Sequence, residues 1–138
     1  YSKRYYEALN SFIHNGILEN TLAEFKQLIS FDKKHTLADN CQYWIGEIYY
    51  KQKLFKESVL EFSKVFDFTN SNKLDDAQYK IILCYINLND YPSALVEVDK
   101  LRNNFSDSEY IDRADNLINK LNYKINSSRN LIPSLVTN

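Results

Sequence analysis

Tight-turn residues are scarce in this sequence, whose 138 residues include only two Gly and two Pro. Sheet proteins need many turns, and turns commonly use Gly and Pro. Their scarcity favours α-helices joined by short polar loops. No apolar run approaches the ~18 residues that span a bilayer, so we expect no direct membrane insertion. Met is absent and the chain opens on Tyr1, so we expect a mature form or an excised fragment, in which a missing signal peptide is uninformative about location.

An excess of charge of either sign is also lacking. The formal net charge is −1 at pH 7, which gives no electrostatic reason to expect nucleic acid as a partner. Apolar residues make up 44% of the chain and charged residues 25%, as is ordinary for a globular protein. The length suffices for one domain with a core of its own.

Cysteine is limited to Cys41 and Cys84, on different predicted helices and among apolar neighbours. Two cysteines permit a disulfide bond, but we expect both thiols to be reduced and buried as small core residues. The chain has no C-x-x-C spacing, so neither a zinc site nor a redox motif is indicated.

One residue pattern occurs three times along the chain. Its members are separated by 3, 9, 4 and 3 residues, and Gly46 lies 37 residues after Leu9 while Ile82 lies 36 after Gly46. Three copies in register, each with apolar residues at helical spacing, predict three helical hairpins. The three series are Leu9, Phe12, Thr21, Phe25 and Leu28; Gly46, Tyr49, Ser58, Phe62 and Val65; and Ile82, Tyr85, Ala94, Val98 and Leu101.

The turn between the two helices of each hairpin is predicted at Gly16, Lys53 and Asn89. Gly and Asn best tolerate a left-handed backbone, whereas Lys is less comfortable there. Pro92 falls in the first turn of the third hairpin's second helix, where its missing N–H costs nothing.

A small side chain is predicted where the two helices of each hairpin cross, because a large one would push them apart. Gly46 is the facing contact in the second hairpin. Phe25 and Phe62 fill the space beside the crossing, and the smaller Val98 indicates that the third hairpin packs differently there. The small residues are Thr21, Ser58 and Ala94.

This spacing of small and aromatic residues resembles the tetratricopeptide repeat, although the copies are slightly longer than its usual ~34 residues. The resemblance implies an all-α, right-handed superhelix of three helical hairpins with a C-terminal capping helix. We predict repeats at about 2–36, 37–73 and 74–108 and a capping helix at about 108–126, which complete a domain of residues 1–126. Ala114, Leu117, Ile118 and Leu121 face inward from the capping helix. Residues 127–138 form an extended or disordered tail whose apolar residues could dock on the repeats, on a neighbouring molecule or on nothing.

The stretch "ADNCQYWIGEIYYKQKLFKESVLEFSKV" resembles the C-terminal domain of the Tol–Pal accessory, or cell division coordinator, family CpoB (YbgF). The resemblance covers roughly residues 5–121, but the loops lack the family's Tyr-Pro-x-Ser and its N-terminal coiled coil is absent from this chain. The "YWIGE" pattern is also similar to other envelope repeat proteins, including those that resemble the assembly lipoprotein BamD. The resemblance therefore implies a bacterial cell-envelope adaptor, periplasmic or associated with the outer membrane. A cytoplasmic adaptor is the alternative.

A binding groove is predicted on the concave side, which the first helix of each repeat lines. Tyr6, Tyr43 and Tyr79 share one repeat position and would form a ladder of rigid contacts for a peptide or helix. Alternatively, they pack on neighbouring helices and stabilise the stack. The predicted groove residues are Tyr6, Asn10, Asn40, Tyr43, Glu47, Tyr50, Asp76, Tyr79 and Leu83, accompanied by Ile13 and Ile86.

Charge in the predicted groove comes from Glu47 and Asp76, which would repel a carboxylate ligand, so a basic or apolar ligand is expected. Trp44 is interpreted as an inter-repeat packing residue. Neither His14 nor His35 has a nucleophile at a fixed spacing, and no Gly-rich phosphate loop exists. We therefore expect no catalytic residues, no metal and no cofactor.

The leading hypothesis is a non-enzymatic adaptor that binds another protein, presumed to be an envelope protein, in this groove. The alternative is a structural or assembly component of an outer-membrane or oligomeric envelope complex, whose repeats and apolar tail make permanent contacts. A homo-oligomer could then form through the tail or through segments outside this chain.

Overall fold

The computed structural model describes residues 1–16 and 18–131, and within them no side chain is described for Asn15 or for residues 124–131. These residues are all-α, with no strand among them, as predicted. The helices pair into three hairpins, α1–α2, α3–α4 and α5–α6, followed by α7. The elements are α1 (Ser2–Asn15), α2 (Leu18–Phe31), α3 (Ala38–Lys51), α4 (Phe55–Ser63) with a 3₁₀ turn (Lys64–Asp67), α5 (Leu74–Asn87), α6 (Tyr91–Asn104) and α7 (Tyr110–Leu131).

The three predicted turn residues all adopt the left-handed conformation. Their φ angles are 63° at Gly16, 61° at Lys53 and 57° at Asn89. Gly has no Cβ to clash in this region, and Asn tolerates it. Lys53 has neither advantage, so its backbone is strained, and a residue of this kind costs about 1–2 kcal/mol there.

Helix α6 begins at the predicted proline turn. The Asp90 side chain accepts a hydrogen bond from the backbone N–H of Ser93, and Pro92 lies in the first turn. Because the first N–H groups of a helix have no partner within it, the proline removes a donor that the fold does not need.

The helix crossing of the second hairpin shows why a glycine is needed at Gly46. A Cβ atom placed there would lie 2.6 Å from the ring of Phe62, which is fully buried. In the third hairpin the equivalent positions are Ile82 and Val98, both buried in one cluster. In the second hairpin the large side chain, Phe62, is on the second helix. In the third hairpin the large side chain, Ile82, is on the first helix. The predicted small crossing residues, Thr21, Ser58 and Ala94, are all buried.

Three clusters of buried side chains form the core, and each spans the junction between one hairpin and the helix that follows it. Cys41 belongs to the first cluster and Cys84 to the second, and both are free and fully buried, as predicted. The hairpins form one continuous stack, because α2 packs on α3 and α4 packs on α5.

Helix α7 extends further than expected. It ends at Leu131, so residues 127–131 are helical and not extended or disordered. The sequence contains no Gly or Pro between Tyr110 and Pro133, and the residue before a proline disfavours the α conformation, so a helix can continue up to that point. The rest of the predicted tail, residues 132–138, lies outside the described residues.

Candidate functional site

The nine predicted groove residues lie on α1, α3 and α5. Tyr6 and Asn10 on α1 are exposed, and the other seven are half-buried. The groove residues of α1 are more exposed because α1 packs mainly against α2, whereas α3 and α5 each pack against the helices before and after them. Each half-buried residue is therefore best understood from what it contacts.

Tyr43 is held by the core of its own hairpin. Its ring lies 5.3 Å from that of Phe62 and 5.3 Å from that of Trp44, measured between centroids. Burial, followed by the nearby Glu47 carboxylate, raises the pKa of the Tyr43 hydroxyl well above its usual value. The hydroxyl thus stays protonated and can donate a hydrogen bond to Glu47.

Tyr79 and Asp76 are tied to helix α7. The Tyr79 ring stacks on that of Tyr110, with centroids 4.6 Å apart. The Tyr110 hydroxyl donates a hydrogen bond of 2.6 Å to Asp76, and this bond with burial raises the pKa of Tyr110. Tyr43 and Tyr79 therefore pack on neighbouring side chains, as in the alternative interpretation that the tyrosines stabilise the stack. Tyr6, the third member of the ladder, is 59% exposed.

A charged pair joins α3 to α5. The Lys80 ammonium lies 3.1 Å from the Glu47 carboxylate, and both side chains are 17% exposed. The same ammonium sits 3.9 Å from the centroid of the Tyr50 ring, a cation–π contact. The Asn87 amide donates to the Tyr50 hydroxyl at 3.2 Å. The Glu47 charge is thus paired with Lys80, which removes the basis for the predicted repulsion of a carboxylate by Glu47.

A cavity of about 470 Å³ opens beside this pair. Its lining contains three lysines and one glutamate, so its balance of formal charge is positive. Glu47 and Tyr50 are the only predicted groove residues in it. The lining residues are Phe12, Glu47, Tyr50, Lys51, Lys53, Phe55, Lys80 and Asn87. Sequence reasoning missed Lys80 and Asn87 because only four positions of each first helix were assigned to the groove.

Trp44 packs between the first two hairpins, as predicted. Its indole N–H donates to the Tyr5 hydroxyl at 2.9 Å, and its ring lies 5.8 Å from that of Phe12. Tyr5 and Phe12 are both buried on α1, so Trp44 aligns α3 with α1 and positions one wall of the cavity.

Hydrogen bonds repeat along the chain with the same period as the apolar pattern. The buried Gln42 amide donates to the backbone carbonyl and carboxylate of Glu61, and Gln78 makes the same two bonds to Glu97. The sequence analysis did not predict this network. The recurrence of the same residue types at the repeat period could have indicated it.

The inter-repeat loops carry a second repeated contact. Ser71 donates to Asp39 at 2.6 Å, and Ser108 donates to Asp75 at 2.9 Å. Each serine hydroxyl also accepts from the backbone N–H two residues on. His35 fills this role in the first loop, because its Nδ1 accepts from the N–H of Leu37 at 3.1 Å. The bonds from backbone N–H groups fix each loop to the start of the helix that follows it. The bonds from Ser71 and Ser108 to aspartates tie their loops back to the first helix of the preceding hairpin.

The two histidines occupy different parts of the fold. His14 is exposed at the end of α1, and His35 is occupied by the loop contact and by stacking on Tyr1 at 3.7 Å. Glu47 and Asp76 each have their own partner, Lys80 and Tyr110. These same ranges contain no group of three or more His, Cys, Asp or Glu side chains that could hold a metal ion.

Comparison with known proteins adds no relative. No family model matches the chain, and no curated protein matches it. Among the helices of the described ranges, none is long and apolar enough to cross a bilayer. The fold itself defines a class: an all-α protein of stacked helical hairpins.

Proposed function

We propose that the protein is a non-enzymatic adaptor of the tetratricopeptide-repeat type, which binds a partner protein or peptide in the groove of a right-handed superhelix. The observation that supports this most directly is the cavity of about 470 Å³ bordered by the first helices of all three hairpins. It combines aromatic rings, which provide rigid contact area, with charged groups that can orient a ligand.

The envelope assignment is a proposal that rests on the resemblance of the "YWIGE" stretch to the Tol–Pal accessory family. On that basis the adaptor works in the periplasm or at the outer membrane, where it would help to couple peptidoglycan synthesis to outer-membrane constriction. A cytoplasmic adaptor with the same groove is the alternative location.

A structural or assembly role is the second candidate function. It is favoured by the packing of Tyr43 and Tyr79 inside the stack. Large apolar side chains also remain exposed on the second helices, where a permanent partner could cover them: Leu60, Leu95 and Val96.

A pull-down from the envelope fraction of the source cells tests the groove. The bait is the whole chain, and the test variant replaces exposed groove residues, Tyr6→Ala with Asn10→Ala. The matched control replaces an exposed Tyr and Asn on α7, Tyr123→Ala with Asn122→Ala. The proposal expects one partner that is retained by the control and lost by the test variant.

The same partner captured equally by both variants would contradict groove binding. Removal of residues 132–138 then tests the second candidate. A change from oligomer to monomer, measured by light scattering, would favour the assembly role.

A further inference from the structure

The turn residue Lys53 is strained, and its side chain borders the cavity. Lys53 has a φ of 61°, at a position where the other two hairpins have Gly16 and Asn89. A β-carbon in this conformation is unfavourable, whereas glycine would be free of strain. Strained residues persist most often where the side chain is used. The question is therefore what a lysine at this turn can do that a glycine cannot.

The ammonium groups around the cavity have unequal partners. Lys80 is paired with Glu47 at 3.1 Å. Lys51 lies 5.4 Å above the centroid of the Phe12 ring, in a cation–π contact. Among the side chains that the structure describes, neither Lys51 nor Lys53 has a carboxylate within the 4.0 Å of an ion pair. Two positive charges at the cavity are thus available to a ligand.

Aromatic rings form the apolar part of the same cavity. Phe12 comes from the first hairpin, and Tyr50 and Phe55 flank the second turn, with their ring centroids 5.3 Å apart. Phe12 is buried, whereas Tyr50 and Phe55 are half-buried, so an acidic side chain alone would leave part of the Tyr50 and Phe55 rings in water. A segment that places one apolar side chain between carboxylates would bury the rings and pair with both lysines.

We infer that the cavity binds an acidic peptide segment built around an aromatic or aliphatic residue, with its carboxylates on Lys51 and Lys53. This inference rests on the proposed groove function and specifies its ligand. A basic peptide is disfavoured, because it would meet two unpaired ammonium groups and a glutamate that Lys80 already neutralises. A peptide is favoured over nucleic acid because the whole chain has a formal net charge of −1 and the cavity lysines are few.

Fluorescence polarisation with short labelled peptides tests the inference. The acidic peptide has Glu residues around a central Phe and blocked termini, and its matched control has Gln in place of Glu. We expect the acidic peptide to bind more tightly and to weaken as salt is raised. Lys53→Gly should weaken binding roughly three- to fivefold, as should Lys51→Ser.

Two further variants keep the test independent of folding. Lys53→Arg keeps the charge and should retain affinity, and Lys120→Ser removes an exposed lysine on α7 and should change nothing. Lys53→Gly is expected to relieve backbone strain, so its thermal unfolding is measured beside its affinity, and a loss of affinity without a loss of stability is assigned to the missing ammonium.

Three results would overturn the inference. These are equal binding of the Glu and Gln peptides, binding of neither, and tighter binding of a single-stranded oligonucleotide than of the acidic peptide. None of these results contradicts the groove proposal. That proposal is tested by whether the Tyr6 and Asn10 variant loses a captured partner.

Discussion

The hydroxyl of Ser58 donates a hydrogen bond of 2.9 Å to the backbone carbonyl of Gly46. The thiol of Cys84, on the next hairpin, lies 3.4 Å from the same hydroxyl and donates to it. Three elements, α3, α4 and α5, thus meet at one buried serine. The approach is close because Gly46 has no side chain and the Phe62 ring lies against its backbone.

Gly46→Ala is predicted to lower the free energy of unfolding by roughly 1–3 kcal/mol, the usual range for overpacking a tight core. The added methyl would lie 2.6 Å from a buried ring carbon of Phe62 and would force the two helices apart. Urea unfolding followed by circular dichroism measures the effect.

The ring of Phe62 provides the control for this prediction. Combining Gly46→Ala with Phe62→Leu should destabilise less than the sum of the two single changes, because the smaller side chain makes room for the methyl. Strict additivity would show that the methyl is accommodated elsewhere.

Lys53→Gly is predicted to raise the free energy of unfolding by roughly 0.5–1 kcal/mol, since glycine removes the strain but adds backbone entropy to the unfolded chain. The reciprocal change, Asn89→Lys, places the same strain in the third hairpin and should lower stability. Thermal unfolding of both variants checks the pair. A loss of stability in Lys53→Gly would mean that the lysine side chain itself stabilises the fold.

The two cysteines are predicted to be unreactive until the protein unfolds. Burial raises the pKa of the Cys41 thiol to about 12 and that of Cys84 to about 11, from an ordinary 9.0. Only the thiolate attacks a disulfide reagent. Labelling by a chromogenic disulfide at neutral pH should therefore proceed at the rate of unfolding, and a fast fraction would contradict the burial.

Stability should also fall at alkaline pH. In the unfolded chain the thiols ionise near pH 9.0, whereas in the folded chain they stay protonated up to about pH 11. Ionisation thus favours the unfolded chain, so the free energy of unfolding declines as pH rises through this window. The decline should be smaller in a variant with Cys41→Ala and Cys84→Ala. Denaturant titrations at successive pH values measure both slopes.

Gln78→Ala is predicted to cost roughly 1–3 kcal/mol, because it removes the two hydrogen bonds that the buried Gln78 amide donates to the backbone carbonyl and the carboxylate of Glu97. Gln42→Ala should cost about the same, since Gln42 makes the same two bonds to Glu61. Gln27→Ala, at an exposed residue of the first hairpin, is the control. Unequal effects of Gln42→Ala and Gln78→Ala would show that the repeated contacts are not energetically equivalent.

Hairpin positions and turn residues could be predicted because the forces that set them are local. Helix amphipathicity places the apolar series, and the left-handed backbone selects Gly16 and Asn89 within a few residues. The apolar series and the turn residues repeat at spacings of 37 and 36 residues, which makes each copy a check on the others.

Contacts between hairpins were not predictable in the same way. Glu47 pairs with Lys80 and Tyr79 stacks on Tyr110, and each partner lies a repeat away on a position outside the assigned groove. Whether a groove side chain is free to bind a ligand depends on contacts with the next repeat. The position of that side chain within its own repeat does not specify those contacts. The end of α7 was missed because Pro133 and the lack of a clear apolar period after residue 126 were taken to indicate an extended tail.

Helix α7 presents a polar edge where the corresponding helix of the third hairpin presents apolar side chains. When Ala114 is aligned with Ala77, both fully buried, Asn119 and Asn122 take the places of Ile82 and Tyr85. Those apolar side chains receive a second helix in the third hairpin, whereas the two asparagines are exposed. A stack of hairpins has no inherent limit, and a polar edge disfavours the packing of one more helix. Apolar residues in place of Asn119 and Asn122 would instead offer a surface to which another helix can bind.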